Sequence, residues 1–252
     1  MFRVAFVVPT VEAEIARAWL VEHAPAGFEE RVEGDATELA VYVDVDGIAA
    51  IVDAFPQATA EDVRDGWEDG WREFHRPVSA GGLWIGPPWI DPPDDADVVV
   101  VDPGRAFGTG GHPTTRACIE LLSRLERGSL LDAGCGSGVV AVAAVRLGFA
   151  PVRAVDLDAV AVEVALATAR LNDVPIDVSR ADVLHDPLPA SDVAVANIEL
   201  AVVEQLLGRR LGAGKLVTSG YPDSERPSAP GWAYVDRLEL EGWAADVLAK
   251  RH

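Results

Sequence analysis

Apolar positions in the first quarter of the chain switch between the period of a strand and that of a helix. Phe2 to Val8 reads as a strand. Thr10 then caps a helix whose Val11, Ile15, Ala18 and Trp19 share a face, with Glu12 and Glu14 suiting its positive end. Phe28 to Glu33 predicts a second strand, and Gly34-Asp35 turns the chain into a third, Leu39 to Val43. Asp46-Gly47 follows, and Ile48, Ile51, Val52 and Phe55 then recur at helical spacing. The order β-α-β-β-α is most of a ferredoxin-like α+β sandwich, a fold that names no function by itself. Pro56 closes this small domain, residues 1–57. From Thr59 to His75, Val63, Trp67, Trp71 and Phe74 lie on one seam and predict a linker helix, residues 58–76. Gly66 and Gly70 each cost such a helix about 1 kcal/mol relative to Ala, so packing rather than propensity has to hold it.

Residues 77–252 form the larger domain. Leu83-Trp84-Ile85 and Trp89-Ile90 are short extended pieces, and Val98 to Val101 is a strand ending in a long glycine-containing loop, Asp102 to Thr115. Pro113 suits the first turn of a helix running from Arg116 to Leu125. Leu130 to Asp132 then enters a turn with alternate glycines, Gly134, Gly136 and Gly138, and Val139 to Leu147 reads as a helix stopped by Gly148. The pattern continues as a doubly wound α/β fold: strand Pro151 to Asp156, helix Val160 to Leu171, strand Ile176 to Val178 leading to Asp182, and strand Val193 to Asn197. After these come a helix from Glu199 to Leu211, a strand from Leu216 to Gly220 and a terminal hairpin, Ala233 to Leu240 with Trp243 to Ala249. Strand ends on such a sheet are where ligands bind.

Composition narrows the classes of function. The chain has 252 residues, 49% apolar and 25% charged, with a net charge of −20. Residues 1–75 contain 17 Asp and Glu against 5 Arg and no Lys, a net of −12. Such a segment repels nucleic acid, whose binders need clustered cations. It suits a basic protein partner, or serves only as a solvated surface. No basic segment followed by a long apolar run opens the chain, and none approaches the roughly 18 residues of a membrane span. Cys118 and Cys135 read as free thiols. A cytoplasmic protein without membrane contact is therefore expected.

Two chemistries compete for a glycine turn followed by an acid at the end of the next strand. In both, the Asp156 carboxylate accepts hydrogen bonds from a ribose diol. A dinucleotide fingerprint requires Gly-x-Gly-x-x-Gly, but Val139 stands where its third glycine belongs. Asp132-x-Gly134-x-Gly136-x-Gly138 is the form associated with S-adenosylmethionine enzymes. His112 invites a metal or acid/base role, yet no ligand partner lies at metal spacing nearby, and a helix-capping role is the plainer alternative. No metal is expected.

The sequence resembles the ribosomal protein L11 methyltransferase (PrmA) family. The resemblance rests on Asp102-Pro103-Gly104, Phe107 to Gly110, His112 to Thr115, Asp132 to Gly138, Val155 to Asp158 and Ala196-Asn197-Ile198. It implies a Rossmann-like, seven-stranded class I methyltransferase domain behind a small substrate-recognition domain. S-adenosylmethionine would be the cofactor, contacted by Thr115, Gly134, Gly136, Gly138, Asp156, Asp182 and Asn197. Three of the polar members have a plain alternative: Thr115 as a helix cap, Asp182 as a turn cap, Asn197 as a backbone partner. The implied reaction is methylation of lysine or N-terminal amino groups of a basic ribosomal protein held by the acidic first domain. Asn197 would orient the amine, with Glu199 and His112 as candidates for moving its proton. Another protein substrate, such as an electron-transfer flavoprotein subunit, stays open, as do a nicotinamide-dependent dehydrogenase and a non-enzymatic cofactor binder. Two departures stand out. Asn197-Ile198-Glu199-Leu200 lacks the aromatic residue that many amine methyltransferases place after this strand, and Tyr221 to Gly231 is short where the family has a full helix.

Overall fold

The computed structural model describes residues 2–10, 13, 16–17, 19–20, 28–34, 36–43, 45–62, 76–102, 110–209 and 211–251. The chain divides into two compact units, Met1–Phe74 and His75–His252.

In the first unit, strands β1 (Phe2–Pro9), β2 (Glu29–Glu33), β3 (Ala36–Val43) and β4 (Thr59–Asp62) form one sheet in the order β2-β3-β1-β4. Every neighbouring pair is antiparallel. Helix α1 (Val45–Ala54) joins β3 to β4, and residues 13, 16, 17, 19 and 20, between β1 and β2, are also helical. Alternation along β1 sends Val4, Phe6 and Val8 into a core shared with Leu39, Val41 and Ile51. Phe6 stacks on Phe55 with ring centroids 4.0 Å apart. From the first helical segment Ala13, Ala16 and Leu20 are buried and Trp19 packs alongside. Val11, Ile15 and Ala18, expected on that face, lie outside the described residues.

Strand β4 corrects the expected helix at its start. Thr59–Asp62 is extended and pairs with β1, and the Thr59 hydroxyl donates to the Ala5 carbonyl at 3.3 Å. The helical spacing from Val63 onward says nothing about these four residues. The open edge of β1 does, because its unpaired backbone groups need a partner. Residues 63–75, the remainder of the expected linker helix, lie outside the described residues.

The second unit opens with a small sheet of β5 (Val78–Ala80), β6 (Leu83–Gly86) and β7 (Val98–Val100). Its main sheet has the order β10-β9-β8-β11-β12-β14-β13. The strands are β8 (Leu130–Ala133), β9 (Val152–Asp156), β10 (Ile176–Arg180), β11 (Val193–Asn197), β12 (Lys215–Pro222), β13 (Trp232–Leu240) and β14 (Trp243–Lys250). Contacts from β10 through β12 are parallel, and those to β14 and β13 are antiparallel. Helices α2 (Pro113–Ser123), α3 (Val139–Arg146), α4 (Ala159–Leu171) and α5 (Leu200–Leu207) occupy the connections. The expected helix from Glu199 to Leu211 is shorter, because Gly208 ends it.

Parallel strands buried on both faces explain the near-continuous apolar runs of β8 and β11. Successive residues point to opposite layers: Val193 and Val195 into the core that includes α2 and α3, Ala194 and Ala196 into the one that includes α5. The order reverses at β8, which has β9 on one side and β11 on the other. Crossovers leave that point in opposite directions, opening a crevice at the carboxyl ends of the strands.

Residues 223–231 contain no helix and are held by side chains instead. Arg237 donates to the Asp223 and Glu225 carbonyls at 2.6 and 2.9 Å and to the buried Asp246 at 2.9 Å. The Ser228 N–H donates to Glu204 at 2.7 Å, and the Trp232 indole donates to the Leu207 carbonyl at 3.3 Å.

Candidate active site

The glycine turn between β8 and α3 needs a backbone that L-residues rarely adopt. Gly134, Gly136 and Gly138 have φ of 80°, 52° and 78°. Gly134 also needs space, since a Cβ there would sit 2.5 Å from Ile198 Cγ2. At Gly138 the Cβ would meet Ala165 of α4 at 2.9 Å, so this glycine serves helix packing and lines neither cavity described below. The turn is tied to β9 by Gly134 N–H and Cys135 N–H, which donate to the Val155 carbonyl at 2.8 and 3.0 Å.

Asp156 ends β9 beside this turn. One carboxylate oxygen accepts from Gly136 N–H at 2.9 Å and the other from Asp158 N–H at 3.0 Å. Two backbone donors thus fix the carboxylate while each oxygen retains a lone pair for a further donor.

On the opposite side of the crevice Asn197 ends β11, and its amide donates to the Thr115 hydroxyl of α2 at 3.3 Å. Ile198 N–H donates to the Ser219 carbonyl at 3.1 Å, drawing the start of α5 against β12. Gly220 makes that approach possible: its φ is 102° and a Cβ would lie 2.1 Å from the Ile198 carbonyl oxygen.

These elements enclose a cavity of about 650 Å³, within the range of small-molecule sites. His112, Gly134, Gly136, Asp156, Asp182, Asn197 and Glu199 all line it. A smaller chamber of about 40 Å³ lies behind the glycine turn, lined by Thr115 and Asn197 together with Asp132 and Ser137. Seven of the residues singled out from sequence therefore meet in one cavity, and Thr115 reaches the adjoining chamber.

His112 is the cap of α2, with its Nδ1 2.8 Å from the Thr114 hydroxyl. Its ring meets Trp243 edge to face at 4.9 Å. Burial, and then the nearby Arg116 guanidinium, push its pKa down, favouring the neutral imidazole. Arg116 bonds Glu241 at the tip of the β13–β14 hairpin at 2.7 Å, which holds Trp243 beside the cavity. Glu199 caps α5 through its carbonyl, which accepts from Val202 and Val203 N–H at 3.0 Å each.

Several contributors escape sequence reasoning. Trp243 enters the cavity wall from the last strand, and nothing near it in sequence marks it. Leu157 and Leu184 supply apolar wall, although Leu157 is 58% exposed. Asp132 did leave a signal, being an acid inside an otherwise apolar strand. It is buried, one of its oxygens lacks a hydrogen-bond partner, and burial pushes its pKa up to about 7 against the opposing pull of Ala141 N–H. Among the described residues no group of three His, Cys, Asp or Glu could hold a metal, and no helix is long and apolar enough to cross a membrane.

A mostly parallel doubly wound sheet, with a glycine turn, an acid-ended strand and an Asn-ended strand around one cavity, defines a methyltransferase-like α/β fold. Comparison with known proteins agrees. The sequence profile of the family described as ribosomal protein L11 methyltransferase (PrmA) matches residues 28–226. The ribosomal protein L11 methyltransferase of an Exiguobacterium species is 35% identical over 209 residues, covering 76% of this chain and 67% of that protein. The one from Pelobacter propionicus is 44% identical over 169 residues, covering 61% and 55%. A crystal structure of ribosomal protein L11 methylase from Lactobacillus delbrueckii subsp. bulgaricus superposes with a TM-score of 0.64 at 25% identity, covering 71% of this chain and 100% of that one. The chain belongs to the ribosomal protein L11 methyltransferase family, and the cofactor of that family is S-adenosylmethionine. These two relatives are matched over 67% and 55% of their length. The segment 103–109, which bears much of the resemblance, lies outside the described residues.

Proposed function

We propose that this chain is a cytoplasmic, S-adenosylmethionine-dependent protein N-methyltransferase acting on lysine or N-terminal amino groups of ribosomal protein L11. The observation that supports it most is the convergence of Asp156, Gly134 and Asn197, each from a different strand end, on one cavity. The cavity fits such a cofactor on its own terms. Left-handed glycines clear its floor, and the Asp156 carboxylate is already fixed by two N–H groups where a ribose diol could donate to it. Asp182, after the next strand, would accept from the amino group of the base, and Leu157 and Leu184 would cover its faces. The cofactor, when bound, supplies a methyl group already activated on sulfur.

What remains for the protein is to present an uncharged amine. Lysine ionises near 10.4 in water, so the site must disfavour the ammonium. Burial beside Trp243 and Ile198 does this by desolvation, while the Asn197 carbonyl oxygen accepts an N–H and orients the lone pair. In the tautomer whose Nδ1–H donates to the Thr114 hydroxyl, the neutral His112 imidazole would take the proton released at Nε2, with Glu199 as the second acceptor at the rim. The acidic first unit would hold the basic substrate protein, and neither nucleic acid nor membrane takes part.

The test is transfer of labelled methyl from S-adenosylmethionine to purified L11, located by mass spectrometry. Label on an amine of L11 is expected. Label that appears only on another protein of a cell extract would move the substrate assignment, and cofactor binding to NAD instead would sink the enzyme class.

A further inference from the structure

We infer that His185 is a positioning residue for the base-binding end of the cavity, acting through Asp182; the inference rests on the proposal that Asp182 accepts from the cofactor's base. His185 Nδ1 lies 2.8 Å from Asp182 Oδ2, and Leu184 N–H donates to Oδ1 at 2.8 Å. The carboxylate is therefore gripped at both oxygens, and each keeps a lone pair for the ligand. The imidazole itself is 78% exposed while Asp182 is 29% exposed and lines the cavity. The histidine thus stands on the solvent side of the carboxylate.

The turn that contains both residues does not depend on this contact. Asp182 N–H donates to Asp186 Oδ2 at 2.8 Å, and Asp186 N–H donates back to the Asp182 carbonyl at 2.9 Å. Arg209, just beyond α5, donates to the Val183 carbonyl and, at 2.8 Å, to the Asp186 carbonyl. Loss of the imidazole would leave these anchors in place and free only one oxygen of Asp182. An exposed polar contact of this kind adds little stability, so its effect falls on where the carboxylate points. The same contact, followed by Leu184 N–H, holds the Asp182 carboxyl below the usual range, which keeps it an acceptor.

A carboxylate that reads the base should prefer S-adenosylhomocysteine over its 6-oxo analogue, whose hypoxanthine presents no amino group. The full chain and three variants, His185→Ala, His185→Asn and Asp182→Ala, are titrated calorimetrically with both ligands. Wild type is expected to prefer the amino ligand roughly tenfold or more, the scale of one hydrogen bond to a charged group. His185→Ala should lose several-fold of that preference with an unchanged melting temperature, and Asp182→Ala should abolish it. In His185→Asn the amide nitrogen replaces Nδ1, and the preference should return. Equal losses for both ligands in His185→Ala, or failure of Asn to restore the preference, would overturn the positioning role. A wild type that binds both ligands equally would overturn the base-reading by Asp182 as well, and one that binds neither would refute the cofactor assignment.

Discussion

Asp156 and Asp132 are two acids on neighbouring strands whose surroundings assign them opposite tasks. Asp156 receives two backbone N–H groups and faces the cavity as a fixed acceptor. Replacing it with Ala should weaken S-adenosylhomocysteine binding by about 1 to 3 kcal/mol, and an unchanged calorimetric affinity would refute its ribose role. Asp132 is buried with one oxygen unpartnered and is raised from the ordinary 3.8 to about 7. A carboxyl that is raised on folding holds its proton more tightly in the native state, so its contribution to stability is complete at low pH and shrinks as pH climbs. The loss should fall between 3.8 and about 7 and be finished above that. Asp132→Asn retains an acceptor for Ala141 N–H without the charge. Its melting temperature relative to wild type should therefore rise across that interval and stay flat beyond it. Parallel curves would show that Asp132 does not titrate there.

Among the elements, β12 and the β13–β14 hairpin shape one wall of the cavity through Gly220 and Trp243. The strand irregularity between Ser219 and Tyr221 and the left-handed Gly220 let the Ile198 backbone close on β12. Gly220→Ala meets a carbonyl oxygen and an unfavourable φ together, and should cost on the order of 2 kcal/mol or more in urea denaturation. Gly214 is the control, since a Cβ there meets only the Asp192 carbonyl at 3.6 Å, and its Ala variant should stay within about 1 kcal/mol. The hairpin brings Trp243 to the cavity and is pinned by Arg116 and Glu241. Trp243→Ala should raise KM for the protein substrate while leaving cofactor affinity nearly unchanged. A matching loss of cofactor affinity would mean that the indole shapes the whole cavity.

At the scale of the whole molecule, each unit has its own hydrophobic core. Among the described residues, those that line the cavity belong to the second unit. Residues 75–252 alone should fold, bind S-adenosylhomocysteine with wild-type affinity and transfer methyl groups to L11 at background rate. Retained transfer would show that the first unit does not choose the substrate. Adding salt should weaken transfer by the full chain, because attraction between an acidic unit and a basic protein is screened.

Much of this was legible in the sequence because it depends on neighbours along the chain. Strand and helix periods placed β8, α3, β9, α4 and β11 nearly to the residue, the glycine spacing separated one nucleotide turn from another, and Asp156 and Asn197 were marked as polar residues at strand ends. Other features depend on residues far apart in sequence that only folding brings together. Thr59–Asp62 became a strand because β1 offered an edge, and Gly138 stands where a side chain would meet Ala165 of α4. Trp243 reached the cavity because β14 runs antiparallel beside β12, and Asp132 acquired its raised pKa from burial between two layers. Periodicity is a property of the local backbone and can be read without coordinates; proximity and desolvation arise from the tertiary packing, and they decide which acids and aromatic rings meet in this cavity.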